Sequence, residues 1–292
     1  MNWSAVSKSL IMFLLAILTT RAGEHPKGHL VIIGGGKRGP QIMQTYVQLA
    51  GGDHAKVVVF PMASELAKSV GPDQAASLQQ AGAHAVFSLN ISHAQAESDS
   101  VLELLEGVTG VFFSGGDQSR LTAALLDTKV GKKLHELYQN GAVIGGTSAG
   151  AAVMSKMMIT GKEKLTRDTA NAYTSIKRNN IETVEGFGFI DNAIVDQHFI
   201  KRKRHNRLIS LILENPSLIG IGIDEATAIV VNPDDSFEVV GEGTVMVFDA
   251  TQSKSIRENA KGHLSAENIL LHILTAGDSF DMKSHSAHPG KK

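Results

Sequence analysis

Five short apolar runs recur through the first half of the chain and constrain its fold more than any other feature. HLVIIGG (29–35), AKVVVFPMAS (55–64), HAVFSLNI (84–91), GVTGVFFSGG (107–116) and GAVIGGTS (141–148) are rich in β-branched or aromatic residues. Most are bounded by glycine or proline, which marks them as strands. They are apolar throughout rather than alternating, as expected when both faces of a sheet are covered. Between them lie stretches with helical spacing, PQIMQTYVQLAG (40–51) and QSRLTAALLDTKVGKKLHELYQNG (118–141). In the second, Leu121, Leu125, Leu126, Val130, Leu134 and Leu137 recur at three- and four-residue steps until Gly141 supplies a stop. Strands alternating with helices predict an α/β fold: a mostly parallel, doubly wound sheet with flanking helices. From about residue 220 the pattern changes to short strands with Asp/Gly turns, which predicts an antiparallel hairpin extension on the sheet edge. No repeat or linker divides residues 23–292, which read as one domain.

Composition narrows the class of partner. A formal net charge of −1 gives no global field for nucleic acid or an anionic membrane. The absence of cysteine excludes disulfides, a thiolate nucleophile and cysteine metal sites, and nothing in the sequence calls for a metal or cofactor. The N-terminus carries Lys8, then the apolar run Leu10–Leu18, then small and polar residues. That run is shorter than the ~20 apolar residues of a membrane span. It suits a secretory signal over residues 1–22, with Thr20 and Ala22 at the −3 and −1 positions before Gly23. The expectation is an exported protein, periplasmic or extracellular, with no membrane anchor after cleavage.

In open α/β sheets, ligands bind beyond the carboxyl ends of the strands. The residues at those ends are Gly34–Arg38, Ser64–Glu65, Ser114–Arg120, Gly146–Gly150 and Asp196–His198. Gly146 to Gly150 spell G-x-S-x-G, a strand-to-helix turn that exposes a nucleophilic serine. Small residues around Ser148 permit the sharp turn, and the N–H of Ala149 would face a developing oxyanion. A capping serine in a glycine turn is the plainer reading. Ser148 needs a base, and His198 follows a strand at Ala193–Val195, which places it at the same edge. A histidine base works with a carboxylate that fixes its tautomer. Glu225, its neighbour Asp224, Asp168, Glu182 and Glu185 are all candidates, and spacing does not choose among them.

Two glycine stretches complete the edge. Gly115-Gly116 after a strand allows close backbone approach and offers N–H donors, with Asp117 and Gln118 facing the cleft. IGGGKRG (33–39) lacks the spacing of a dinucleotide loop and reads as a substrate-side loop. The run KRKRHNR (201–207) carries five cationic side chains in seven residues. Near-neutral charge and the lack of interleaved aromatics argue against nucleic acid. Arg202 lies one helical turn after His198. A basic cluster beside a catalytic histidine suits an acidic substrate, because arginine binds carboxylates bidentately.

Taken in order, IGGGKRG, FFSGGDQSRL, GGTSAGAAVMS, VDQHFIKRKRHNRL and GIGIDEATA resemble the cyanophycinases, which belong with the dipeptidase E-like serine peptidases. The resemblance runs from about residue 29 to 282 and implies a class I glutamine amidotransferase-like fold. It implies Ser148 as nucleophile, His198 as base, Glu225 as acidic partner, and an oxyanion hole at Gly116 and Ala149. Gln118, Asp196, Gln197, Arg202, Arg204 and Arg207 match positions that grip the β-aspartyl-arginine repeat of cyanophycin, with Asp196 suited to the substrate guanidinium. The family commonly forms dimers, so a homodimer is expected. Segment 160–183 lies where relatives differ and is expected to frame the substrate. The expected activity is exopeptidase release of β-Asp-Arg dipeptides through an acyl-enzyme. Alternatives are an aspartyl dipeptidase for short acidic peptides and, more remotely, a noncatalytic binding protein for them.

Overall fold

The computed structural model describes residues 25–165 and 173–290. The expected signal segment 1–22 and the candidate Asp168 lie outside the described residues. The five apolar runs form β1 (Leu30–Ile33), β2 (Lys56–Phe60), β3 (Ala85–Ser88), β4 (Gly110–Phe113) and β5 (Val143–Thr147). The helices between them are α1 (Pro40–Leu49), α2 (Ala67–Gln80), α3 (Asp99–Leu104), α4 (Gln118–Leu125) and α5 (Lys129–Gln139), followed by α6 (Ala149–Ala152). A hairpin of β6 (Met157–Glu163) and β7 (Ile181–Glu185) leads to β8 (Ala193–Gln197) and α7 (His205–Glu214). The last part is all strand: β9 (Ile219–Ile223), β10 (Thr227–Val231), β11 (Ser236–Gly241), β12 (Val245–Asp249), β13 (Lys254–Glu258) and β14 (Leu264–Glu267). It ends with β15 (Leu270–Leu274), β16 (Ser279–Asp281) and β17 (Ser286–His288).

The largest sheet has the order β17-β16-β11-β10-β1-β5-β4-β2-β3. Its β1-β5-β4-β2-β3 portion is parallel throughout. Beyond β1, strands β10, β11, β16 and β17 continue it antiparallel, which is the predicted edge extension. The continuous apolarity of the strands has the expected cause. Leu30 and Ile32 enter one buried cluster while Val31 and Ile33 enter the cluster on the opposite face. Val58 and Phe60 divide from Val57 and Val59 in the same way. Each such side chain contributes about 1.5–3 kcal/mol by leaving water, so apolar residues are favoured on both faces.

Two features differ from the sequence expectation. The stretch 118–141 is two helices, because Leu126 is extended and Asp127 takes φ 59°. Thr128 then caps α5 by accepting the Gly131 N–H at 3.0 Å. The leucine spacing survives the break because both helices lay their apolar sides on the same core: Leu121, Leu125, Val130 and Leu134 share one cluster. The second difference is a separate sheet, β15-β12-β9-β8. Strands β9, β12 and β15 are thus not part of the edge extension. Val195, Ile221 and Val247 point from this sheet into the cluster that also holds Ile229 and Val239 of the large sheet. Ile194 and Phe248 point the other way, toward Leu208, Leu211 and Ile212 of α7. Among the described residues, no helix is long and apolar enough to cross a membrane.

Candidate active site

Ser148 sits between β5 and α6 with φ 54° and ψ −109°, a conformation that non-glycine residues adopt at a cost of roughly 1–3 kcal/mol. The two glycines of G-x-S-x-G make that turn sterically possible. A β-carbon on Gly146 would run into the backbone of Gly150, and one on Gly150 would run into the Phe113 carbonyl. The turn leaves the Ser148 hydroxyl 2.9 Å from Nε2 of His198. His198 Nδ1 lies 2.6 Å from Oε1 of Glu225.

The three side chains come from different sheets. Ser148 follows β5 of the large sheet, whereas His198 follows β8 of the second sheet. Glu225 sits on the short connection that leaves β9 of the second sheet and enters β10 of the large one. The site is therefore a junction of two sheet edges, not the rim of a single sheet. His198 is held on a tight turn with φ 48° and is only 7% exposed. Burial pulls its pKa below the ordinary histidine value, an effect that Glu225 opposes and that Arg202 and Arg204 reinforce. Glu225 is held below the usual carboxylate range, chiefly by its hydrogen bond with His198.

The structure separates Glu225 from the other carboxylates. Asp224 accepts the Lys201 N–H at 3.0 Å and ties the histidine turn to the end of β9. Glu182 accepts the Thr160 hydroxyl at 2.7 Å. Glu185 is exposed at the end of β7.

Opposite Ser148 is the turn after β4. A β-carbon on Gly115 would lie 3.9 Å from the Ser148 Oγ, so this loop faces the hydroxyl with no side chain between. Gly116 has φ 141° and packs against the Ala63 backbone, leaving no room for a β-carbon. Ala149 is the first residue of α6, and the leading N–H groups of a helix have no intrahelical acceptor. Asp117, predicted to face the cleft, caps α4 by accepting the Ser119 N–H at 2.8 Å.

The remaining predicted residues are mostly engaged with one another. Gln118 is buried and donates to the carbonyls of Ile159 at 2.7 Å and Thr160 at 2.9 Å. The Asp196 carboxylate, 1% exposed, takes a bidentate pair of hydrogen bonds from the buried guanidinium of Arg207. Tyr173 closes this pair: its ring lies 4.8 Å under Arg207, and its hydroxyl accepts from Arg207 at 3.0 Å. Asp196 was expected to meet a substrate guanidinium, and Arg207 a substrate oxygen. The fold instead turns them toward each other, because neither charge can be buried alone. Arg204 donates from Nη1 to the backbone and side-chain oxygens of Gln197, both at 2.7 Å, while its buried Nε has no partner among the described residues. Burial and the neighbouring Arg207 lower its pKa to about 10.

Arg202 is exposed. It lies on a non-helical turn in which its N–H donates to the His198 carbonyl at 2.9 Å. Sequence reasoning missed Tyr173, whose partners are distant in sequence and come together only through the β6–β7 hairpin and α7. It also took IGGGKRG for a substrate-side loop, whereas Gly35 and Gly36 pack behind His198 and Glu225.

Residues 30–239 match the model described as Peptidase family S51. The chain is 35% identical over 280 residues to the cyanophycinase of Trichormus variabilis, covering 93% of this chain and 91% of that protein. It is 34% identical over 276 residues to the cyanophycinase of Geminocystis herdmanii, covering 91% and 98% respectively. Its structure is similar to that of a peptidase from an acI-B1 Actinobacterium, with a TM-score of 0.63 and 26% identity over 88% of this chain and 98% of that one. The matched span of the family model contains Ser148, His198 and Glu225. The chain belongs to the serine-type peptidases of family S51.

Proposed function

We propose that this chain is an exported cyanophycinase, a serine exopeptidase that cleaves multi-L-arginyl-poly-L-aspartate to β-Asp-Arg dipeptides. The observation that carries the chemistry is the Ser148–His198–Glu225 relay, with contacts of 2.9 and 2.6 Å. Neutral His198 takes the Ser148 proton as Oγ adds to the peptide carbonyl. Glu225 fixes the Nδ1–H tautomer and stabilises the imidazolium. The N–H groups of Gly116 and Ala149 receive the oxyanion. The intermediate collapses to an acyl-enzyme as His198 returns the proton to the leaving amine, and water then reverses the sequence to free the acid.

The substrate reading rests on the likeness to the cyanophycinases and on charge. Arg207 neutralises the buried Asp196, which leaves the charges of Arg204 beside it and of exposed Arg202 on the turn after His198. The excess positive charge suits the carboxylates and main-chain oxygens of a polyaspartate backbone. Gln197, held against Arg204, and Gln118 are the other residues of the proposed pocket.

Export rests on the N-terminal signal pattern. Cleavage after Ala22 would be read as a mature N-terminus at Gly23 in protein recovered from outside the cytoplasm. A homodimer is supported by β15, an edge strand whose Leu270, Leu271 and Ile273 are 44, 47 and 62% exposed. The activity test is turnover of cyanophycin against turnover of α-Asp-X dipeptides. Preference for the polymer supports the proposal, and preference for the dipeptides replaces it with an aspartyl dipeptidase.

A further inference from the structure

The tail of β1 touches the backbone at all three members of the relay. Three consecutive carbonyls each accept one amide: Ile33 from Ser148 at 3.0 Å, Gly34 from His198 at 2.7 Å, and Gly35 from Ala226, next to Glu225, at 3.0 Å. The three residues whose amides are held, Ser148, His198 and Ala226, have φ of 54°, 48° and 55°. Each turn is thus in the left-handed region, and each is fixed by one carbonyl of the same short segment. The segment also approaches the side chains. A β-carbon on Gly35 would stand 2.5 Å from Nε2 and 3.0 Å from Nδ1 of His198. A β-carbon on Gly36 would stand 2.8 Å from Cβ and 3.0 Å from Oε2 of Glu225.

We infer that Gly35 and Gly36 are positioning residues: their bare α-carbons form the wall against which the imidazole and the carboxylate are set. This rests on the serine relay proposed above. The imidazole has Gly35 on one side and its hydrogen-bond partners Ser148 and Glu225 at its two nitrogens. A methyl at Gly35 must push the ring, since the Gly35 backbone is itself tied to Ala226. A methyl at Gly36 must push Glu225 away from Nδ1. Reacting groups displaced by about 1 Å lose on the order of 10²-fold in rate. The three atoms nearest to each added β-carbon belong to His198 or Glu225 and not to the arginine cluster, so the effect is expected in kcat rather than KM.

The molecule supplies matched controls for the backbone cost of adding a side chain. Gly35 has φ 109° and Gly82 has φ 107°; Gly36 has φ 68° and Gly107 has φ 69°. A β-carbon on Gly82 or Gly107 meets nothing within 4 Å. Gly35→Ala and Gly82→Ala therefore place a side chain at nearly the same positive φ, as do Gly36→Ala and Gly107→Ala, but only the first of each pair strikes the relay.

The experiment measures kcat, KM, the pH profile of kcat/KM and thermal unfolding for these four variants, with Ser148→Ala alongside. Expected are drops in kcat of about 10²-fold or more for Gly35→Ala and Gly36→Ala with KM nearly unchanged. Gly82→Ala and Gly107→Ala should stay within about threefold of the parent. Gly36→Ala should also move the acid limb to lower pH, because Glu225 raises the pKa of His198. Equal kcat within each matched pair, while Ser148→Ala is inactive, overturns the inference and leaves the relay standing. So does loss of the folded state in Gly35→Ala and Gly36→Ala alone, since the cost is then structural. An active Ser148→Ala would instead remove the relay itself.

Discussion

Oε1 of Glu225 stands 2.6 Å from Nδ1 of His198, joining a half-exposed carboxylate to a buried imidazole. Burial lowers the pKa of His198, with Glu225 opposing and the arginines reinforcing the effect. The imidazole is therefore neutral at pH 7 and stays so somewhat below the ordinary value near 6.5. The acid limb of kcat/KM is expected below pH 6.5. Glu225→Gln removes a contribution that raises the pKa, so the limb should move lower still while kcat drops by ~10²–10⁴-fold. A pH series on both proteins checks the direction.

The same depressed pKa has a consequence for stability. The neutral form is favoured by the folded state, so the stability that His198 contributes is complete above the unfolded value near 6.5. It is lost as pH falls through the lower folded value. Urea unfolding of the parent and of His198→Gln over this range should show a shallower acid decline in the variant.

Arg207 neutralises the buried Asp196. Replacing it with methionine leaves a carboxylate buried without its counter-charge, which typically costs ~3–5 kcal/mol. Exposed Arg202 differs. Arg202→Met should change stability by no more than about 0.5 kcal/mol but raise KM for the polymer. Denaturant melts and KM on both variants separate a folding arginine from a binding one.

Asp249 ends β12 at the opposite end of the second sheet from Glu225: it pairs with Ile219, the first residue of β9. Its Oδ1 accepts from the Thr251 backbone at 2.7 Å and hydroxyl at 2.6 Å, and its Oδ2 meets His285 at 2.9 Å. Burial raises its pKa, but these bonds outweigh that and the net shift is downward. Asp249→Asn is expected to destabilise by about 1.5–3 kcal/mol with kcat unchanged, as calorimetry and turnover would show together.

How far the sequence revealed this depended on whether the information was local. The five parallel strands were legible because burial on two faces writes an unbroken apolar run, as in Leu30–Ile33. The elbow was legible because G-x-S-x-G is contiguous in the chain and Gly146 is demanded by the backbone of Gly150, four residues on. The second sheet was not, because β8 and β9 read like any other buried strands and nothing local says which sheet they join. The choice of Glu225 over Asp224 likewise depends on side-chain direction after β9. The pairing of Asp196 with Arg207 needed α7 to be placed against β8. IGGGKRG looked like a ligand loop because glycines that admit a substrate and glycines that admit a neighbouring imidazole leave the same trace.

The most direct test of the central claim is the response of Ser148 to a serine-directed acylating reagent, followed by assay on cyanophycin. The account predicts one label per chain, located on Ser148, with dipeptide release lost in proportion. Ser148→Ala should take no label and lose ~10⁴-fold or more in kcat. Undiminished dipeptide release by Ser148→Ala, or full activity after Ser148 is labelled, would contradict it.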